Sequence, residues 1–167
     1  MLQAYKNDTL TDLQVRTLSI REKELNFWNM CLSTMARQGA LIAGFTYESL
    51  VTGFPSSAPP ILELLFLLIT ILAMSCSLLS VTIAAFCTMF GPGLALRGPE
   101  GAESMHKAVD VMQEYARSSF SVFMLGLVCF HVSSILMMWG DHSAFIGVIT
   151  SVVLVGFLAV FFKTGYE

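Results

Sequence analysis

The chain has 167 residues, of which 55% are hydrophobic and 13% are charged. A soluble domain carries roughly 25% charged residues, so this composition argues against a soluble globular protein. The net charge of −3 gives no indication of nucleic-acid binding, and the sequence contains no catalytic constellation, phosphate loop or zinc-ligand spacing. We therefore predict a membrane protein that is not an enzyme, has no organic cofactor and binds no nucleic acid.

The first third of the chain predicts a polar tail followed by one long helix. Residues 1–17 are polar and are expected to be a mobile tail. A helix is predicted from near Leu18, and it continues into the first apolar segment because no proline interrupts it. We place the first membrane span at about 38–54. Residues 18–167 are predicted to form a single membrane domain.

Three further apolar segments are long enough to cross a bilayer, which requires about 20 residues. They cover about 61–90, 118–139 and 143–162. The Gly-Pro-Gly sequence at 91–93 is expected to end or bend the second helix, and the residues at 140–142 are expected to form a tight outer turn. The predicted fold class is an all-α membrane protein with four transmembrane helices and a cytoplasmic helical extension of the first.

The basic residues predict the orientation of these spans. All nine lie in segments that could share one side of a membrane: Lys6, Arg16, Arg21, Lys23, Arg37, Arg97, Lys107, Arg117 and Lys163. The stretches 38–96 and 118–162 hold no basic residue, and each can cross twice. Because basic residues tend to stay in the cytoplasm, both termini are predicted to be cytoplasmic. We expect the plasma membrane, with an organelle membrane as the alternative.

One face of the first span combines the residue types of a pore wall. At about 100° per residue, a single stripe carries basic, apolar, small, acidic and hydroxyl side chains. From inside to outside these are Arg37, Leu41, Gly44, Glu48 and Thr52, with Phe45 at the edge. Several such helices around an axis would place a ring of Glu48 carboxylates in the pore, and acidic rings select cations.

A magnitude favours a bound divalent cation at such a ring. Two carboxylates ~6 Å apart at an effective dielectric constant of ~20 repel by roughly 3 kcal/mol. A cation between them relieves this repulsion, and calcium accepts many oxygen ligands in loose geometry. Glu48 is thus a candidate calcium ligand in an oligomeric ring, and calcium the candidate permeant ion.

Ordinary structural roles are the alternatives for the same residues. Glu48 can lie at the level of the outer headgroups or pair with a partner helix. Arg37 can extend its charged end into the inner interface. Leu41 and Phe45 can be packing residues, and Gly44 a site of close helix contact.

Short motifs along 18–162 carry a resemblance to a known family. They are Leu18-Ser19-Ile20-Arg21, Arg37-x-x-Ala40-Leu41-Ile42-Ala43-Gly44-Phe45, Pro59-Pro60, Met105-His106, Phe120-Ser121 and Trp139. In their order and spacing the chain resembles the Orai calcium-channel family. The resemblance implies a homo-oligomeric ring of subunits, six in the best-known arrangement, embedded in membrane lipid with the first spans lining the pore.

The same resemblance implies a role for each residue of the stripe. Glu48 would form the selectivity ring, with Thr52 at the mouth above it, and Arg37 would line the inner mouth. The apolar gate would consist of Leu41, Gly44 and Phe45. The chain would then be the pore-forming subunit of a cation channel, with calcium as the expected ion.

Three features depart from the family pattern. The family's pore glutamate lies seven residues after the phenylalanine of its Gly-Phe pair, where this chain has Thr52, and Glu48 comes one helical turn earlier. The family's acid in the third span has no equivalent, and His131 and Ser133 occupy that neighbourhood. Only residues 163–167 follow the fourth span, so docking of the family's activator is not expected. The alternative function is a non-conducting structural subunit of a larger membrane complex.

The remaining polar residues have simpler interpretations. His131 is expected to be a buried, hydrogen-bonded histidine, with a pH-sensing or gating role as the alternative. Glu103, His106 and Asp110 are expected to form a solvated face rather than a metal site. Asp141 and His142 read as a polar turn, with an outer patch that attracts cations as the alternative. Packing thiols, not disulfides, are expected at all four cysteines: Cys31, Cys76, Cys87 and Cys129.

Overall fold

Long helices make up nearly all of the part of the chain that the computed structural model describes, which is residues 2–55, 59–97, 102–141 and 144–166. They are α1 (Leu2–Thr52), α2 (Pro60–Arg97), α3 (Ala102–Asp141) and α4 (Ala144–Tyr166). No strand occurs among these residues, and the predicted all-α fold is confirmed.

The helix α1 already begins at Leu2, whereas the sequence predicted a polar tail over 1–17 and a helix start near Leu18. Polarity was a poor guide here because residues 2–38 contain neither glycine nor proline. Local pairs support the early turns: Arg16 lies 3.3 Å from Asp12 one turn before it, and the Thr17 hydroxyl donates to the Leu13 carbonyl. A polar helix of this kind is sustained by side-chain pairs three or four residues apart.

The end of α1 follows from backbone chemistry. Gly53 adopts a positive φ of 75°, and its amide donates to the Ser49 carbonyl at 3.3 Å. A glycine in the left-handed region is a common end of a helix because it lacks the Cβ that would be strained there. Pro60 then opens α2, at a position where its missing amide has no partner to lose.

The Gly-Pro-Gly sequence at 91–93 does not end α2, which continues through Pro92 to Arg97. This differs from the predicted end of the second span at about residue 90. Pro92 removes one backbone amide, which would otherwise donate to the carbonyl of Thr88. The rest of the helical ladder is retained on both sides, so the helix persists past the proline.

Two helices are long and apolar enough to cross a membrane, over Pro60–Ala95 and Glu103–Gly140. Only 28% and 17% of their most apolar windows are buried within the protein, so they differ from the core helices of a soluble protein, which are mostly buried. Phe145–Val160 is a shorter apolar helix. The first predicted span, at 38–54, is not among the helices that meet these criteria, since Glu48 and its polar neighbours dilute its apolar character.

The chain divides into two compact units whose boundaries fall inside helices. The first unit is Met1–Arg37 with Val81–Phe120, and the second is Gln38–Ser80 with Ser121–Glu167. In the first unit, large side chains of α1 pack on small side chains of α2 and α3. Its buried cluster consists of Leu25, Leu32, Ala84, Ala108, Val109, Met112 and Ala116.

The second unit depends on close contact between α2 and α3. A Cβ added at Gly126 would lie 3.1 Å from the Ser77 hydroxyl oxygen and 3.2 Å from the Cys76 Cβ. Buried Ala73 continues this surface of small residues. Helices in membranes associate through such small-residue contacts, because lipid gives no hydrophobic driving force between them.

We expect Gly126→Leu to destabilise the second unit by about 1–3 kcal/mol, because the added side chain has to displace α2. Gly156→Leu is the matched control, since nothing lies within 4 Å of a Cβ added at Gly156. Chemical unfolding of both variants in detergent measures the difference. Equal stability of the two variants would contradict the close contact.

Candidate functional site

The part of α1 that belongs to the second unit has one buried and one exposed face. Gly39, Ala43 and Thr46 are buried, and Thr46 is 0% exposed. These positions recur every three or four residues, so they lie on one side of the helix. This side packs within the protein, and the opposite side is left uncovered.

The predicted stripe coincides with the uncovered side. Leu41 is 62% exposed and Phe45 is 54% exposed, and Gly44, Glu48 and Thr52 are also exposed. No heavy atom lies within 4 Å of a Cβ added at Gly44, so this glycine makes no close helix contact within the described protomer. The structure thus brings the stripe residues of this unit onto one surface that the protomer itself does not use.

The Glu48 carboxylate has no ion pair or hydrogen-bond partner within the described residues. The Thr52 hydroxyl, one turn later, donates to the Glu48 backbone carbonyl at 2.9 Å. Since that bond uses its single proton, the hydroxyl oxygen keeps acceptor capacity. Carboxylate and hydroxyl oxygens therefore occur one turn apart on the exposed face, and both are ligand types that calcium accepts.

Arg37 lies in α1 within the first unit. Its side chain is exposed, and its Nε donates to the Ser33 carbonyl at 3.2 Å. The guanidinium keeps further donors beyond this one bond, so the residue can contact an anion or a headgroup.

The third-span residues His131 and Ser133 are engaged within the second unit. His131 is half-buried, and its Nδ1 lies 2.8 Å from the Leu127 carbonyl. Ser133 is 3% exposed, and its hydroxyl pairs with that of Thr70 across α2 and α3 at 2.5 Å. Because Thr70 also bonds the Phe66 carbonyl at 2.6 Å, its proton is used there and Ser133 is the donor of the pair.

We expect a double-mutant cycle on Thr70→Val and Ser133→Ala to give a coupling free energy of about 0.6–1.7 kcal/mol, the range found for hydrogen bonds between membrane helices. Thr70→Val should be the costlier single change, since it leaves the buried Ser133 donor without an acceptor. Unfolding in detergent supplies the four stabilities. Strict additivity would contradict the pairing.

The charged residues of the first unit form surface pairs. Glu103 lies 3.4 Å from Lys107, and Asp110 lies 3.6 Å from Arg21, with mostly exposed side chains. No group of three acidic, histidine or cysteine side chains that could hold a metal occurs among the described residues. His142 and the side chain of Asp141, which the sequence marked as a polar turn, lie outside the description.

The sequence analysis missed an apolar cleft of about 870 Å³ in the first unit, called here the α2–α3 cleft. Its walls include Phe86, Met89, Phe90 and Leu94 of α2 and Val111 and Tyr115 of α3. The signal was the helical spacing of these apolar residues on both segments. That spacing was absorbed by the assignment of a plain span and an amphipathic approach.

Comparisons with protein-family models, with curated proteins and with solved structures gave no match to this chain. The resemblance to the Orai family therefore remains a prediction that rests on the motifs quoted above.

Proposed function

We propose that this chain is the pore-forming subunit of a homo-oligomeric cation channel of the Orai type. In this proposal it crosses the plasma membrane four times, with both termini in the cytoplasm. Identical copies assemble around an axis that the second half of α1 lines. Calcium is the proposed permeant ion.

One observation carries the proposal. The stripe predicted from the sequence lies on the face of α1 that the protomer leaves uncovered, and the opposite face, around Ala43 and Thr46, is buried. An unpaired carboxylate exposed to lipid is costly, by about 2.5–3.5 kcal/mol at the centre of a helix on translocon scales. A water-filled axis lined by other copies of Glu48 removes that cost.

The stripe supplies the two functions that a channel requires. Glu48 carboxylates and Thr52 hydroxyls offer two levels of oxygen ligands, separated by about 6 Å along the helix axis. Leu41 and Phe45 point to the same side and form an apolar constriction deeper in the pore. Such a constriction gates conduction by excluding water.

We expect Glu48→Gln to reduce calcium permeability relative to a monovalent cation by about tenfold or more, since the neutral amide cannot attract a cation to the ring. The measurement is current through the full chain reconstituted in planar bilayers. Glu63→Gln is the matched control, because Glu63 is also exposed but lies at the start of α2. Unchanged selectivity in Glu48→Gln, or an equal loss in the control, would reject the site.

We also expect Thr52→Cys to form disulfide-linked dimers of the chain in membranes, after the four native cysteines are replaced by serine. Ala43→Cys is the control, because that position is 7% exposed and faces the protomer's own interior. Non-reducing electrophoresis after mild oxidation detects the product. Cross-linking at position 43 but not at position 52 would contradict the orientation of α1.

The shifted glutamate favours a second candidate, a non-conducting subunit of a larger membrane complex. Glu48 would then pair with a basic residue of a different protein rather than with copies of itself. Native mass measurement of the purified assembly separates the two functions. A closed ring of one chain supports the channel, whereas a stable complex with a second protein supports the alternative.

A further inference from the structure

The α2–α3 cleft has the size of a small-molecule site and one flat wall. Its volume of about 870 Å³ falls in the range of roughly 300–1,000 Å³ that is typical of ligand pockets. The rings of Phe86 and Phe90 stack with centroids 6.1 Å apart and an interplanar angle of 17°. This nearly parallel pair offers a flat aromatic surface, which suits a rigid, planar apolar molecule.

The polar groups of the cleft are few and uncharged. Tyr115 contributes a phenol and Cys87 a thiol, while no lysine, arginine, aspartate or glutamate lines the cleft in the described chain. A phospholipid headgroup therefore finds no charged partner there. A ligand with one hydroxyl finds a match in the Tyr115 phenol, which can both donate and accept.

The cleft is open to the surroundings of α2 near the end of its apolar stretch. Met89 is 74% exposed and Phe90 is 65% exposed, and both belong to the Pro60–Ala95 segment that is apolar enough to cross a membrane. A ligand dissolved in the bilayer can thus enter from the lipid. This step rests on the proposed membrane location, although it does not require that the chain conduct ions.

A sequence pattern points to the class of lipid. Val111, Tyr115 and Arg117 fit the loose arrangement of leucine or valine, tyrosine, and lysine or arginine that has been associated with cholesterol contact. The pattern has low specificity by itself. Here its first two members line the cleft.

We propose that the α2–α3 cleft binds a membrane sterol, with the ring system against Phe86 and Phe90 and the hydroxyl at Tyr115. Rigidity favours a sterol over an acyl chain, since a preorganised ligand loses less conformational entropy on binding. The cleft and the α1 stripe belong to different units of the chain, so sterol binding can be tested without a measurement of current.

The test is photolabelling of the full chain in lipid nanodiscs with a photoreactive cholesterol analogue, followed by peptide mapping. We expect label on peptides that contain Phe90 or Val111, and competition by unlabelled cholesterol. Label that cholesterol does not displace would overturn the proposal. So would a photoreactive phosphatidylcholine with a labelled acyl chain that marks the same peptides equally well, since the site would then accept any lipid tail.

Two variants sharpen the test. Gly93 lines the cleft, and nothing lies within 4 Å of a Cβ added there, so Gly93→Phe fills the cleft without displacing a neighbour. It should lower specific labelling by about tenfold or more, a loss equivalent to about 1.4 kcal/mol, whereas Gly156→Phe, at an equally open glycine of α4, should not. Tyr115→Phe should weaken competition by cholesterol about fivefold through loss of one hydrogen bond.

Two controls separate this proposal from the channel proposal. Glu48→Gln should label like the unchanged chain, because Glu48 does not line the cleft. Flotation of the nanodiscs confirms that each variant is inserted in lipid. Full labelling of Gly93→Phe in floated discs would overturn the sterol site, and it would leave the assignment of Glu48 untouched.

Discussion

The packing of Ala43 and Thr46 within the second unit decides which side of α1 is free for other molecules. Both side chains are small enough to be fully buried, and Thr46 satisfies its hydroxyl on the carbonyls of Ile42 and Ala43. A helix fixed in this rotation has no choice about its opposite face. Leu41, Phe45 and Glu48 are exposed as a consequence of that packing rather than by independent preferences.

The same principle governs the rest of the chain, because small and hydroxyl-bearing residues make the helix contacts while large apolar residues are exposed. Buried Ser77, Ser80, Ser119 and Ser133 lie on the contacting sides, and exposed residues such as Ile61, Phe86 and Phe157 lie outside. In water this distribution would be unfavourable, since apolar side chains lose their hydrophobic stabilisation when exposed. In a bilayer it is the expected distribution, because lipid accommodates large apolar side chains and helices associate through small ones.

The sequence predicted helices and faces well, and it predicted boundaries and contacts less well. Four helical segments follow from apolar runs of sufficient length, and the stripe of Leu41 and Glu48 follows from a period of 3.6 residues. The helix over 2–17 was missed because polarity was taken as a sign of a tail, although side-chain pairing alone can support such a segment. The end predicted near Pro92 was missed because the loss of one hydrogen bond does not outweigh a long helix on both sides.

Contacts between helices could not be read from the sequence for a different reason. Nothing in the chain indicates that Gly126 meets Ser77, or that Ser133 meets Thr70, because such pairs depend on the rotation and register of two helices of similar composition. The α2–α3 cleft has the same origin, since it exists where α2 and α3 do not fill the space between Phe86 and Tyr115. Sequence periodicity identifies the faces that are available, whereas the packing of small residues decides which of them meet.

The helix α4 shows what this distribution demands of the surroundings. Among its described side chains from residue 145 to 160, Gly147 is the one that is buried. The Trp139 indole lies against this glycine, about 3.5 Å from an added Cβ, and its Nε1 donates to Ser151 at 2.9 Å. One aromatic contact and one hydrogen bond cannot hold an otherwise exposed apolar helix in water, where short isolated helices are marginal. A bilayer stabilises it without further protein contacts, because every backbone hydrogen bond is then formed within the helix in a medium that offers no competing water.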